Sequence, residues 1–188
     1  YVLVRIDEAN KTAAVVAVPS NLQVKLSDGA NHPLSDAALS GDAALVSAMA
    51  DFAGVSISHF ARTDAQGIAN LVDAVGGVSV DLVEDVDDPA AGDVYLEKGT
   101  QALDAKGALT LLRASNYSGG EESQSANRAA FFCALAKRLV EPSGFAFVQH
   151  LDDLAANVQT DWNMFDIVSV ADAMRGGATC YTAVVPGR

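Results

Sequence analysis

The chain has 188 residues, half of them apolar and 6% aromatic, which is enough to bury one substantial core, so a single domain over residues 1–188 is expected. Its 24 acidic residues outnumber 12 basic ones, and the net charge of −12 argues against general attraction to nucleic acid or to an anionic membrane surface. The longest uninterrupted apolar run, Ala129 to Ala136, falls far short of the roughly 20 residues that a membrane-spanning helix needs.

Tyr1 to Asp7 and Thr12 to Pro19 flank the polar turn Glu8-Ala9-Asn10-Lys11 and read as the two strands of a hairpin, the second apolar throughout and therefore central. The start looks like a strand rather than a charged-then-apolar leader, and no initiator Met is present, so an upstream piece is expected to be missing. Leu22, Val24 and Leu26 alternate with polar residues as a further strand, which ends at the turn signal Asp28-Gly29. Asp42 is placed to cap a helix through Ala53, with Leu45, Val46, Met49 and Phe52 or Ala53 inward, and Gly54 closes it.

The clearest stretch runs from Asp64 to Asp81. Thr63 with Gln66 fits a capping box, and Asp64 is a competing cap. Ile68, Leu71, Val72 and Val75 share one helix face, and Gly76-Gly77 then supplies a stop. Val78, Val80 and Leu82 alternate with Ser79 and Asp81, which begins a half-buried strand. Glu84, Asp85, Asp87, Asp88 and Asp93 follow in an acidic loop. Such density suits a hard cation, but the spacing is not that of an EF-hand, and a solvated charge run is the simpler reading.

Asp104 caps the next helix, whose inward residues are expected to be Ala105, Ala108, Leu109 and Leu112, and which carries Arg113 near its end. Ser118 with Glu121 forms a second capping box for a helix running to about Val140. In it Arg128 shares a face with Phe131, Phe132, Leu135 and Leu139, so it heads an apolar stripe. Helices over Phe145 to Val158 and Asn163 to Met174 come next, the latter with Met164, Ile167, Val168 and Ala171 on one face. A strand from Thr179 to Val185 leads to Pro186-Gly187.

Several chemistries lack their signatures. His32, His59 and His150 have no zinc spacing, and there is no Gly-x-Ser-x-Gly elbow, Walker loop or dinucleotide glycine fingerprint. Cys133 and Cys180 are either one long-loop disulfide or two buried small hydrophobes.

Asn70 to Asp81, with its Gly76-Gly77-Val78 turn, and Glu97 to Leu109 resemble two blocks of the LytR-CpsA-Psr (LCP) family of bacterial envelope phosphotransferases. Asp36 to Asp42, Val55 to Phe60 and the terminal Pro186-Gly187 resemble others in the same order, and the resemblance implies a strand at Val55 to Phe60. The resemblance implies an α/β fold of three layers, α-β-α, with a central mixed sheet. It also implies an extracytoplasmic setting in the bacterial cell envelope, with membrane attachment only through the missing upstream segment.

LCP domains are expected to hold a polyprenyl diphosphate, its tail in an apolar cavity and its diphosphate gripped by arginines with Mg2+. They pass a polyprenyl-linked glycopolymer to a cell-wall acceptor. Guanidinium forks match phosphate oxygens bidentately, and cations offset the charge that develops in phosphoryl transfer. Carried over residue by residue, Arg113 and Arg128 are the phosphate-binding arginines that remain, and Phe131, Phe132 and Leu135 either line the lipid cavity or are ordinary core. Serines stand at Ser20, Ser115 and Ser125 where the family has arginine or another cation; Asn21 replaces a metal aspartate, and no metal ligand is assigned. Removing one preorganised charge contact commonly costs about 10²–10³ in rate. The resemblance therefore implies ligand binding with weakened or lost catalysis, the alternative being a non-catalytic protein-interaction domain.

Overall fold

A computed structural model describes residues 1–185. Three strands, β1 (Val2–Asp7), β2 (Thr12–Ala17) and β9 (Thr179–Val184), form a sheet in the order β1-β2-β9. The first pair is antiparallel and the second parallel, so the sheet is mixed and the all-apolar strand is central. Side chains alternate across β2: Val15 and Ala17 face Ala129, Phe132 and Cys133, whereas Val16 and Val18 join Leu34, Ala37, Ala48 and Met49 on the opposite face. Those residues belong to helices α5 (Gly120–Val140) on one side and α1 (Leu34–Leu39) and α2 (Asp42–Ala53) on the other. Period-two alternation along one strand thus generates the three layers.

A second cluster is built on β6 (Val78–Leu82), paired antiparallel with β7 (Gly99–Leu103). Val78, Val80 and Leu82 are buried, while Ser79 and Asp81 are exposed. Helices α3 (Ala65–Ala74), α4 (Ala105–Arg113) and α5 cover the buried face, contributing Ile68, Leu71, Val72, Ala108, Leu111, Phe131 and Leu135. Gly77 separates α3 from β6 at φ 91°, and a Cβ there would sit 3.1 Å from the Leu103 carbonyl oxygen, so both the backbone angle and the close approach favour glycine. The remaining elements are the short ribbons β3 (Gln23–Lys25) with β4 (Asn31–Pro33) and β5 (Ala61–Arg62) with β8 (Gln159–Thr160), and helices α6 (Gly144–Asn157) and α7 (Met164–Met174).

Several local expectations need correction. The expected strand Val55 to Phe60 is an irregular segment; its last residue bonds to side chains instead of a ladder, with the Phe60 N–H donating to Asp161 and Thr160 Oγ1 donating to the Phe60 carbonyl. Helix α2 starts from Gly41, and Asp42 lies in the first turn beside Arg62; Phe52 is 44% exposed, and burial falls on Ala48 and Met49. The inward face of α4 is rotated by about one position, onto Gly107, Ala108, Thr110 and Leu111. Thr110 is drawn inside by the acidic loop. A Cβ on Gly92 would meet Thr110 Oγ1 at 2.2 Å, so any other residue there would force Thr110 to turn or the loop to move off α4. In α7, Ala171 is buried as expected, but Met164 is 45% exposed and Met174 takes its place inside. The Pro186-Gly187 ending lies outside the described residues.

Cys133 of α5 and Cys180 of β9 form a disulfide, with Cα atoms 5.8 Å apart. Of the two sequence readings of these cysteines, the structure has the bridge. No helix among the described residues is long and apolar enough to cross a membrane.

Candidate functional site

Arg128 lies in the third turn of α5, half-buried, and its Nε donates to the Leu112 carbonyl at 3.1 Å. That carbonyl belongs to the last turn of α4, where unsatisfied acceptors favour a cation. The bond holds Arg128 against the residue that precedes Arg113. Arg113 itself is exposed and makes no hydrogen bond or ion pair among the described residues. Among the described residues neither terminal nitrogen of Arg128 has a protein acceptor, and no carboxylate pairs with it. Burial lowers its pKa and the Tyr117 phenol opposes that shift, but a guanidinium stays charged.

The serines at the cation positions have structural work. Asp88 Oδ2 accepts from the Ser115 N–H at 2.8 Å and the Asn116 N–H at 3.2 Å. Ser125 is buried. The Ser20 carbonyl accepts from the Ser35 N–H at 2.9 Å, and Asn21 donates to Glu121 at 2.8 Å, joining the end of the β1–β2 hairpin to the head of α5. Among other cations, Arg62 pairs with Asp42 at 3.3 Å.

Sequence reasoning missed the role of the acidic loop. Glu84 accepts from Ser118 Oγ at 2.6 Å, from the Ser118 N–H, and from the Gly119 N–H at 3.0 Å. Hydrogen bonds from the Ser118 and Ser123 side chains are the main reason its pKa is lowered to about 2. The Ser118/Glu121 capping box is therefore replaced by a carboxylate from a distant segment, which meets the exposed N–H groups ahead of α5. Asp88, itself buried, does the same for the α4–α5 connection, and its pKa is lowered chiefly by the Ser115 N–H. The sequence pointed instead to Ser118 as the cap, but its hydroxyl donates to Glu84.

No residue is assigned to the magnesium implied by the resemblance. No group of three or more His, Cys, Asp or Glu converges among the described residues, and Glu84, Asp88 and Glu121 already accept hydrogen bonds from the chain. Asp64 is an N-cap, accepting from the Gly67 N–H at 2.8 Å, whereas Thr63 donates to the Asn157 carbonyl. No chemical step is therefore routed through a metal.

Phe131 is fully buried beside Leu135 in the β6 cluster, and Phe132 contacts its ring edge-on at 5.3 Å while reaching toward the disulfide. All three are packed positions. A mainly apolar cleft of about 270 Å3 opens elsewhere, between α6 and α7, lined by Leu151, Leu154, Val158, Trp162, Met164 and Ile167.

The profile of the LytR_cpsA_psr family matches residues 1–185. The chain belongs to the LytR-CpsA-Psr family. Among curated relatives it is 26% identical over 151 residues to the probable cell wall biosynthesis protein LcpB of Corynebacterium glutamicum, covering 77% of this chain and 36% of that one. It is 24% identical over 170 residues to TagV of Bacillus subtilis, a polyisoprenyl-teichoic acid–peptidoglycan teichoic acid transferase, covering 85% and 44%. The chain thus spans less than half the length of either relative. The crystal structure of B. subtilis TagV superimposes with a TM-score of 0.84 at 22% identity, over 100% of this chain and 76% of that one. A structure of TagT bound to LIIa-WTA gives 0.81 at 17% identity, over 100% and 72%. These structures establish the LCP fold, mixed sheet included, and the relatives belong to the bacterial cell envelope.

Proposed function

We propose that this LCP domain works in the bacterial cell envelope, where it binds the phosphate of a polyprenyl-linked glycopolymer through Arg128, with Arg113 at the rim, and transfers it to a cell-wall acceptor weakly or not at all. The observation that carries this reading is Arg128: a half-buried guanidinium, oriented through Nε, whose terminal nitrogens make no bond to the described residues and which has no carboxylate partner among them. Buried charges are ordinarily paired, so an unpaired one at the end of a helix matches an anion supplied from outside. Weak transfer follows from the neutral side chains at Ser20, Ser115 and Ser125, since positioning and charge supply most of the rate in phosphoryl transfer.

The test is native mass spectrometry of the domain with a polyprenyl monophosphate or diphosphate, with and without magnesium. Binding by the wild type that falls at least tenfold in Arg128→Gln is expected, with little release of phosphate. A wild type that binds neither lipid, in either condition, overturns the reading and leaves protein interaction as the use of the fold.

A further inference from the structure

The corner around Arg128 holds more hydrogen-bond donors than acceptors. Asn127 is fully buried; its Oδ1 accepts from the Val83 N–H at 2.9 Å, but its Nδ2 has no acceptor among the described residues. Tyr117 is 8% exposed, and its hydroxyl makes no hydrogen bond of good geometry, although the Asn127 amide and the Arg128 guanidinium lie beside it. Burial raises the phenol's pKa, so it stays a neutral O–H donor. Glu84 and Asp88 are near, but their oxygens are occupied by N–H and O–H groups of residues 90 and 115–119. Buried polar groups almost always find partners, and an orphan costs stability. Two buried donors without an acceptor among the described residues, beside a guanidinium whose terminal nitrogens make no bond to them, describe a place for an oxyanion.

We infer that Tyr117 and Asn127 are further binding residues of this site, donating with Arg128 to the oxygens of one phosphate group. They stand two residues after Ser115 and Ser125, so neutral donors take up part of the task that cations perform at those positions elsewhere in the family. The inference rests on the phosphate-binding reading above.

Titration calorimetry with geranyl diphosphate, alongside thermal unfolding without ligand, tests it. Tyr117→Phe keeps the ring and removes only the orphan hydroxyl. It should unfold no earlier than wild type, yet bind the probe about tenfold more weakly or worse, the range for a hydrogen bond to a charged group. Asn127→Asp keeps the acceptor for Val83 and replaces the donor with a negative charge, so it should bind more weakly still; if it fails to fold, Tyr117→Phe decides alone. Equal binding by wild type and Tyr117→Phe, with Arg128→Gln silent, overturns this inference and leaves the reading beneath it standing. A wild type that does not bind overturns both.

Discussion

Replacing Cys133 and Cys180 together by alanine removes the covalent link between α5 and β9, and the cost follows from the chain it closes. The two residues are 47 positions apart. The loop-entropy expression gives a stabilisation of about 4 kcal/mol for a loop of that size, by restricting the unfolded chain. For a domain of this length each kcal/mol moves the midpoint by about 2–4 °C, so the double variant should melt roughly 8–16 °C below the wild type. Thermal unfolding followed by circular dichroism is the assay, run on oxidised wild type, reduced wild type and the double variant. The last two should agree, because both lack the same constraint. A fall of less than about 3 °C would refute the loop-entropy reasoning. Finding two free thiols in unreduced, denatured wild type would refute the bridge itself.

Two further predictions concern carboxylates. Glu84 titrates at about 2 in the fold against an ordinary 4.5, so it binds its proton less readily when folded. Its contribution is therefore present above pH 4.5 and lost as the pH falls toward 2; Glu84→Gln should flatten acid unfolding in that window, and an unchanged profile would refute the assigned role. Asp64 caps α3, so Asp64→Ala should lose about 1 kcal/mol while Asp64→Asn, which keeps the acceptor, stays near wild type in urea unfolding. If both variants lose stability equally, capping is not what Asp64 contributes.

Legibility in the sequence tracked the range of the interaction. The alternation at Val78, Val80 and Leu82 and the stripe at Ile68, Leu71 and Val72 were readable because neighbours a few residues apart set burial there. The resemblance to the LCP family supplied the layer order, which no local pattern contains. The function of Glu84 and Asp88 was not readable, since each bonds to chain about 30 residues away and a surface charge run looks the same in sequence. Arg128 was singled out by its place in a motif, while its neighbours Tyr117 and Asn127 were not; the one local hint was an amide within the stretch of helix that turns inward. The bridge between Cys133 and Cys180 needed the geometry, because the sequence separates the two cysteines without saying whether α5 crosses β9.

Helix α5 serves two of the three hydrophobic clusters: Ala129 lies against the sheet, Phe131 and Leu135 fill the space over β6, and Phe132 touches both. Two cores in one chain would ordinarily permit one to open while the other persists. Here neither can let go of α5 without stripping the other, and the bridge to β9 ties that helix to the sheet a second time. Unfolding either of these clusters alone would have to move α5, so the two are expected to melt together, with thermal transitions followed by far-UV and near-UV circular dichroism coinciding.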